Sequence, residues 1–243
     1  MPRKRILILG GTSDARRLAS ELLAAGFEPV TSLAGVTREP VLPAGDIRLG
    51  GFGGEAGLYT YLASGGFAAV ADATHPFAAQ ISQHGFNAAR RAGIPYLRLE
   101  RQAWVPVNGD RWTLVADIKS AVEILPIGAR VMLTIGRKEI APFLARNGIS
   151  GIVRMIEATP LALPSHWQLI LARPPFSLAD ERHLLITHDI SHLVAKNSGG
   201  PQTEAKLVAA RELNLPVIMI ERPAKPAGRV FTCISDLAGA LKD

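Results

Sequence analysis

The chain opens with two patterns of hydrophobic and polar positions that meet at a pair of glycines. Four apolar residues at 6–9 make a run of strand length, and Gly10 and Gly11 follow at once. The polar residues 12–14 then lead into an apolar stripe at helical spacing, made up of Ala15, Leu18, Ala19, Leu22 and Leu23. An apolar run, a glycine turn and an amphipathic stripe in this order predict a buried parallel strand that turns into a helix.

Short apolar runs continue to alternate with helical stripes along the rest of the chain. We predict further strands at residues 28–34, 67–73, 96–99, 130–135, 167–172 and 191–195. Helices are predicted between them at residues 58–64, 78–92, 140–145 and 180–188. Strands that alternate with helices indicate an α/β fold with parallel sheets.

A repeat divides the chain into two similar halves. Residues 88–101 read AARRAGIPYLRLER and residues 209–222 read AARELNLPVIMIER, with six identities in fourteen positions. The offset is about half the chain length, which is too long for a solenoid period and fits a duplicated domain. We therefore expect two Rossmann-like parallel-sheet domains related by internal duplication, with a ligand cleft between them. Their expected bounds are residues 1–108 for an N-terminal nucleotide-binding domain and 109–243 for a C-terminal domain.

Composition excludes several classes of protein. No apolar run is long enough to span a bilayer, and residues 1–5 lead straight into a strand without the apolar segment of a secretory signal. The single cysteine, Cys233, excludes an internal disulfide and a cysteine-based metal site, so we expect a cytoplasmic protein without a metal. The net charge of +6 is spread along the chain without aromatic interleaving. This charge argues for an anionic small molecule at least as well as for nucleic acid. We expect neither nucleic acid nor a membrane as a partner.

The glycine turn after the first strand predicts an anion site. Two glycines allow a tight turn and a close approach of the backbone, while the first N–H groups of the helix point at whatever lies above them. The candidate phosphate-binding residues are Gly10, Gly11, Thr12, Ser13 and Asp14. Their spacing departs from the full G-x-G-x-x-G fingerprint. The alternative is an ordinary strand-to-helix turn in which Ser13 or Asp14 caps the helix.

The end of the second strand bears on the choice of nucleotide. In a dinucleotide-binding layout this position lies beside the adenosine ribose, where an acid selects NAD and a base tolerates the additional phosphate of NADP. Here Ser32, Gly35 and Arg38 are present, and no acid follows the strand before Glu39. These residues favour NADP, and the alternative is that Arg38 is a solvated loop arginine. The glycine-rich residues 50–57 are either a phosphate-contacting loop or a linker.

The third strand ends in Thr74, His75, Pro76 and Phe77, at the sheet edge where ligands bind in open parallel sheets. These four residues are therefore candidates for the nucleotide site. His75 is in addition a candidate catalytic acid. The alternative is that His75 bonds to its own turn while Pro76 begins the next helix.

The second half places cations at the predicted carboxyl ends of its strands. A lysine, a serine and two glycines follow the strand at residues 191–195 and make a second anion-binding turn. We expect this edge to be positive and to bind substrate, with Lys196 as a second candidate proton donor. The alternative is a glycine-rich connector with solvated lysines. The candidate substrate-binding residues are Arg137, Lys138, Arg173, Lys196, Ser198, Gly199, Gly200 and Thr203.

Five short segments spread over the whole chain carry a family resemblance. They are GGTSDAR at residues 10–16, DATHPFA at 72–78, GRK at 136–138, ARPPF at 172–176 and KNSGGPQTEAK at 196–206. In this order and spacing they resemble the precorrin-6A reductase and cobalt-precorrin-6A reductase family of cobalamin biosynthesis. One residue departs from the pattern, since Asp14 stands where the family commonly has Glu. The shorter acid keeps the charge and the capping ability, and only its reach differs.

The resemblance implies an oxidoreductase that acts on a CH–CH group with NADPH as cofactor. It implies two Rossmann-like domains that exchange a strand and bind the nucleotide between them. The implied substrate is precorrin-6A or its cobalt form, a polycarboxylate corrinoid precursor in which one double bond is saturated. In such chemistry the protein holds the nicotinamide against the substrate, supplies a proton and excludes water. His75, Lys196 and solvent stay open as proton sources, as does the hand-over of intermediates to neighbouring pathway enzymes.

Two other classes of protein compete with this interpretation. A non-catalytic nucleotide-binding or regulatory module would use the same anion turns without a reaction. A short-chain reductase would use a Tyr-x-x-x-Lys pair, but none of Tyr59, Tyr61 and Tyr96 has a lysine four residues further on. The first alternative is distinguished by testing whether NADPH is oxidised only when the macrocycle is supplied.

Overall fold

The computed structural model describes residues 3–35, 41–158 and 161–242. Its strands are β1 (Arg5–Leu9), β2 (Glu28–Leu33), β3 (Asp46–Leu49), β4 (Phe67–Asp72), β5 (Tyr96–Leu99), β6 (Arg111–Val115), β7 (Arg130–Thr134), β8 (Ser150–Met155), β9 (Trp167–Leu171), β10 (His192–Lys196), β11 (Pro216–Ile220) and β12 (Arg229–Phe231). Its helices are α1 (Ser13–Ala24), α2 (Glu55–Gly65), α3 (Ala79–Ala92), α4 (Ile118–Ile124), α5 (Ala141–Leu144), α6 (Leu178–Thr187), α7 (Ala205–Glu212) and α8 (Ile234–Ala240). A single 3-10 turn, Pro201–Thr203, precedes α7.

The strands form two six-stranded sheets in which neighbouring strands are parallel. The first has the order β3-β2-β1-β4-β5-β12 and the second has the order β9-β8-β7-β10-β11-β6. Both follow the doubly wound Rossmann order, which reverses direction between β1 and β4 in one sheet and between β7 and β10 in the other. The predicted α/β class with two Rossmann-like parallel sheets is confirmed.

Each sheet takes its sixth strand from a segment that follows the other sheet in sequence. Strand β6 comes after β5 along the chain but pairs with β11, while β12 comes after β11 and pairs with β5. The chain accordingly divides into one unit of Met1–Gln102 with Pro223–Asp243 and a second unit of Ala103–Arg222. This differs from the expected division into 1–108 and 109–243, because the C-terminal segment carries β12 back to the first sheet.

The first sheet is buried on both faces, as the apolar run in β1 predicts. Ile6 and Ile8 pack with apolar residues of α1 and α8 on one face, while Leu7 and Leu9 pack with those of α2 and α3 on the other. The period of two along the strand therefore fills two separate layers of core. The predicted stripe on α1 is buried except for Leu23, which is 41% exposed.

The second sheet is built in the same way around β7. Val131, Met132 and Leu133 are completely buried at its centre. Met132 belongs to a core cluster that includes Leu185 of α6 and Leu207 of α7. Within the described ranges, no helix of either unit combines the length and apolarity that a bilayer crossing requires.

Candidate functional site

Gly10 and Gly11, between β1 and α1, are required for different structural reasons. A Cβ on Gly10 would lie 2.6 Å from Cγ2 of Thr31 and 3.3 Å from the carbonyl oxygen of Ser32, so glycine is required there for strand packing. Gly11 has a φ of +104°, and no atom lies within 4 Å of the position that its Cβ would take. The space over Gly11 is therefore open, and a glycine keeps it open.

Thr12 caps helix α1 and ties the turn to the neighbouring strand. Its Oγ1 accepts a hydrogen bond from the N–H of Ala15 at 3.0 Å and donates to the carbonyl oxygen of Ala73 at 2.7 Å. The cap is thus Thr12 rather than Ser13 or Asp14. Since Ala73 directly follows β4, this bond joins the two predicted nucleotide segments at the point where the strand order reverses.

Asp14 lies in the first turn of α1 and forms an ion pair. Its Oδ2 is 3.0 Å from Nε of Arg101, and both side chains are partly exposed. Arg101 follows β5 and was not among the predicted site residues. It places a guanidinium beside the N-terminus of α1, where it compensates the acid that would otherwise repel an anion from the helix end.

The buried carboxylate of Asp72 organises the residues after β4. Its Oδ1 accepts from both the backbone N–H and the hydroxyl of Thr74, at 3.0 and 2.6 Å, and its Oδ2 accepts from the Tyr96 hydroxyl at 2.6 Å. Burial raises the pKa of Tyr96, and the adjacent carboxylate raises it further, so the phenol stays protonated and donates. Both hydrogen-bond donors of Thr74 therefore point into the protein. An aspartate that ends an apolar strand was the signal in the sequence for this buried acceptor.

His75 bonds to its own turn, as the alternative interpretation had it. Its Nδ1 accepts from the N–H of Phe77 at 3.2 Å, which assigns the proton of the neutral ring to Nε2. The suggestion that Pro76 begins the next helix is wrong, because α3 begins at Ala79. Residues 75–78 instead form a tight turn that a bond from the Ala78 N–H to the His75 carbonyl closes at 2.8 Å.

The end of β2 lies next to the glycine-rich loop that begins at Gly50, and Arg48 is hydrogen-bonded to this loop. Ser32 is buried, and its carbonyl accepts from the N–H of Gly10 at 3.0 Å. Gly35 has a φ of +70°, and Arg38 lies outside the described residues. Arg48 pairs in register with Ser32, donates to the carbonyls of Gly50 and Gly51 at 2.6 and 2.9 Å, and stacks on the Phe52 ring. The glycine-rich segment is therefore a braced loop rather than a simple linker.

The second sheet brings Lys196 to an acid that the sequence analysis did not assign. Nζ of Lys196, at the end of β10, is 2.5 Å from Oε1 of Glu139, in the loop after β7. Oε2 of the same carboxylate accepts from the backbone N–H of Gly136 at 3.2 Å. The GRK turn and the KNSGG turn do meet at one edge, but the charge of Lys196 is compensated there. The glutamate directly after GRK was the available signal.

The remaining cations of this edge differ in their environments. Arg173 follows β9 and lies 3.5 Å from a carboxylate oxygen of Glu157. Arg137 is half-buried and Lys138 is exposed, both in the turn after β7. With Glu139 and Glu157 beside the cations, the edge is a mixture of both charges rather than a uniformly positive surface.

The turn at residues 197–200 is held rigidly from both sides. Asn197 clamps Trp104, since its Oδ1 accepts from the backbone N–H at 2.8 Å and its Nδ2 donates to the backbone carbonyl at 3.0 Å. Arg222 donates to the carbonyls of Asn197 and Ser198 at 2.7 and 3.1 Å. Gly199 and Gly200 both have positive φ, at +68° and +83°. The predicted residues Ser198 to Gly200 thus share one fixed turn.

Thr203 contacts Lys206, which belongs to a buried cluster of charged side chains behind this turn. Its carbonyl accepts from Nζ of Lys206 at 2.6 Å. Lys206 is 4% exposed, and Arg154 and Glu181 form a buried ion pair at 2.8 Å nearby. Burial and, to a smaller extent, the charge of Arg154 lower the pKa of Lys206, while Glu181 opposes both effects, and the resulting pKa is about 7. In the part of the chain that the structure describes, no three His, Cys, Asp or Glu side chains are grouped so that they could hold a metal ion.

Known proteins match the chain over nearly its whole length. A model of the family described as precorrin-6x reductase CbiJ/CobK matches residues 5–242. The precorrin-6A reductase of Rhodococcus erythropolis is 48% identical over 239 residues, which cover 98% of this chain and 96% of that protein. The precorrin-6A reductase of Rhodobacter capsulatus is 45% identical over 242 residues, with the same shares of 98% and 96%. The cobalt-precorrin-6A reductase of Priestia megaterium is 30% identical over 250 residues, or 97% of each chain.

The fold agrees with these sequence matches. A solved structure of a CobK precorrin-6A reductase superposes with a TM-score of 0.93 at 44% identity, and the match covers 98% of this chain and 96% of that one. A match of this extent includes both sheets and the C-terminal strand that returns to the first. The resemblance found in the five motifs is therefore confirmed, and the chain belongs to the precorrin-6x reductase family.

Proposed function

We propose that the chain is a precorrin-6A reductase that uses NADPH to saturate one double bond of the macrocycle in cobalamin biosynthesis. The observation that carries the proposal is the open glycine turn at Gly11, which lies at the reversal point of a Rossmann sheet in a chain whose relatives are named precorrin-6A reductase. Those relatives are 45–48% identical, whereas relatives named for the cobalt form are 29–30% identical. This favours the metal-free macrocycle as the substrate.

The residues of the first unit fit a dinucleotide phosphate. Gly11 leaves room for an anion above the turn, and α1 directs its first N–H groups and the positive end of its dipole toward that room. The hydroxyl of Thr12 is used by its own cap, so the anion contacts come from the backbone of residues 11–14. Arg101 compensates Asp14 and keeps the helix end attractive to a phosphate. The proposed nucleotide-binding residues remain Gly10 to Asp14, Ser32, Gly35, Arg38 and Thr74 to Phe77.

The reaction needs a hydride on one carbon and a proton on its neighbour. NADPH, when bound, supplies the hydride and leaves as NADP⁺. For the proton we propose His75 first and Lys196 second. Because Nδ1 of His75 accepts from the N–H of Phe77, the ring is neutral in this geometry. Donation from Nε2 requires that Nδ1 is protonated first, with loss of the bond from Phe77, so that a neutral ring is left after the transfer. The ammonium group of Lys196 is the second proton donor that we propose, and its hydrogen bond to Glu139 holds it in position.

Carboxylate groups of the macrocycle are proposed to bind at the edge of the second sheet. The available cations there are Arg137, Lys138, Arg173 and Lys196, and the turn residues are Ser198, Gly199, Gly200 and Thr203. Two of these cations already have a glutamate as partner. A substrate carboxylate therefore has to displace Glu139 or Glu157 from its cation, or bind the cation together with that glutamate. We expect recognition to depend on how many substrate carboxylates bind at the same time.

The test is a cofactor titration followed by an oxidation assay. We expect the nicotinamide fluorescence of NADPH to change when the protein is added, and NADPH to be oxidised only after metal-free precorrin-6A is supplied. NADH and the cobalt form of the macrocycle are the comparison reactants. Binding of NADPH without oxidation by either macrocycle would overturn the proposal in favour of a non-catalytic nucleotide-binding module.

A further inference from the structure

A lysine completes the buried cluster around Asp72. Asp72 is fully buried, and the side chain of Lys225 is only 5% exposed. Nζ of Lys225 lies 4.0 Å from Oδ2 of Asp72 and 3.4 Å from Oγ1 of Thr74. The hydroxyl of Thr74 therefore accepts from the lysine and donates to the aspartate at once.

Lys225 belongs to the segment that returns to the first sheet. It lies between the second unit and β12, and the main chain on its C-terminal side is fixed, because Arg98 donates to the carbonyl of Pro226. Arg98 is itself anchored by an ion pair with Glu100 at 2.8 Å. The position of Nζ is thus set by the same segment that supplies the sixth strand.

A carboxylate without contact to water is costly unless a positive charge and hydrogen bonds compensate it. Asp72 has three hydrogen bonds from Thr74 and Tyr96, and Lys225 supplies a full positive charge. Without that charge, the carboxylate would gain by drawing in water or by shifting the chain after β4. The chain after β4 is the turn that carries His75.

We propose that Lys225 is a positioning residue for the nucleotide site. It compensates Asp72, Asp72 fixes Thr74, and Thr74 fixes the turn at residues 75–78 beside the glycine turn. The bond from Thr12 to the carbonyl of Ala73 couples the two turns directly. This inference rests on the proposed function and adds to it a residue from the far end of the chain that acts through Asp72.

The test compares Lys225→Met with Lys225→Arg. Met keeps the apolar stem without the charge, while Arg keeps the charge. We expect Lys225→Met to raise the dissociation constant of NADPH by about tenfold, the worth of one hydrogen bond to a charged group, and Lys225→Arg to restore most of the affinity. The KM for the macrocycle at saturating NADPH should change by less than about twofold, because the second sheet is untouched. Lys242→Met, at an exposed lysine of the same segment, is the matched control and should bind as the wild type does.

A second background separates positioning from general stability. In the Asp72→Asn background the same Lys225→Met change should weaken NADPH binding by less than about twofold, since no carboxylate is left to compensate. This pair also covers the case in which Lys225→Met alone fails to fold, because the double variant buries no unpaired charge.

Two results overturn the inference alone, and one overturns the proposed function with it. Wild-type affinity for NADPH in folded Lys225→Met, or an equal loss with and without Asp72→Asn, shows that Lys225 does not act through Asp72. A wild-type protein that fails to bind NADPH overturns the proposed function and this inference together.

Discussion

The two sheets have the same strand order, yet their reversal points differ in the element that follows the first strand. At the β1/β4 point a glycine turn with open space over Gly11 leads into α1, a helix of 12 residues. At the corresponding β7/β10 point the turn leads into α5, which has only four residues, and charged side chains occupy the edge instead. A helix of one turn adds little dipole or donor capacity. The two sheets thus share a topology, and of these two reversal points the β1/β4 point leads into the longer helix.

The largest expected effect tests the first reversal point. Gly11→Val fills the open space above the turn, and we expect NADPH affinity to fall by about a hundredfold or more, as a titration of nicotinamide fluorescence would show. Gly26→Val is the matched control, because Gly26 also has a positive φ, +88°, with no neighbour near its Cβ position, at the other end of α1. Both variants carry similar backbone strain, so a difference in binding reports contact with the ligand. Unchanged binding in Gly11→Val would move the nucleotide to Gly199 and Gly200, and the comparison of the two edges would be reversed.

The next largest expected effect is the pH dependence of stability caused by Lys206, which is buried in the second unit. Lys206 has a folded-state pKa of about 7 and an ordinary value of 10.5, so the unfolded chain binds more protons between these values. The free energy of unfolding should therefore rise with pH from about 7 to about 10, by up to about 1.4 kcal/mol per pH unit, and this contribution should be absent below pH 7.

Denaturant titrations across this pH range check the prediction for Lys206. In Lys206→Met the rise should be lost, while Lys119→Met, at an 83% exposed lysine of the same unit, should keep it. A slope that survives in Lys206→Met would assign the pH dependence to other groups.

Lys196→Met tests the second edge as a substrate site. The charge of Lys196 acts partly over a distance that salt screens at about 8 Å, so we expect a KM for the macrocycle about fivefold higher and a flatter dependence on ionic strength. The affinity for NADPH should change much less. Adding Glu139→Gln should recover part of the loss, because Lys196→Met leaves that carboxylate to repel the substrate.

The same variant also separates binding from proton donation. If Lys196→Met lowers turnover at saturating substrate while KM is unchanged, the residue acts on the transition state. The role of proton donor would then pass from His75 to Lys196.

The smallest effect concerns the selection of NADPH over NADH. Arg38→Ala should weaken NADPH about fivefold and leave NADH nearly unchanged, since only NADPH has the 2'-phosphate. Arg48→Ala provides the contrast, because it removes the brace of the glycine loop and should weaken both nucleotides alike. An equal loss for both nucleotides in Arg38→Ala would exclude a phosphate-reading role for that residue.

The sequence was informative where a residue's environment is set by its neighbours along the chain. The runs in β1, β4, β7 and β10 are apolar because both faces are buried, and each was predicted at nearly its true bounds. Strands β3, β6, β8, β11 and β12 were not among the predicted strands. In β3 and β8 the apolar pattern is broken, because DIRL carries two charges and SGIVRM holds a glycine and an arginine within a strand. Arg154 of β8 forms an ion pair with Glu181 of α6 and stacks on the ring of Phe176.

The candidate site shows the same limit. Glycine turns and strand ends were readable, since backbone conformation and topology follow from local patterns. The ion pairs of Asp14 with Arg101 and of Lys196 with Glu139 join residues far apart in the chain, and no periodicity encodes such pairs. The prediction that the domains exchange a strand came from the family resemblance and not from the local pattern, because the two sheet edges offer equivalent places for a short strand such as β6 or β12.

Because β12 belongs to the first sheet, the first unit cannot finish folding before the second unit has been synthesised. While the ribosome makes the first hundred residues, β5 has no partner on its outer side, and the apolar face of α1 lacks Ile234 and Leu237 of α8. The first unit becomes complete only when the last residues emerge, after the entire second unit has been made. A nascent chain therefore carries an unfinished first sheet while the whole second unit is synthesised, and the exposed edge of that sheet favours pairing with other chains.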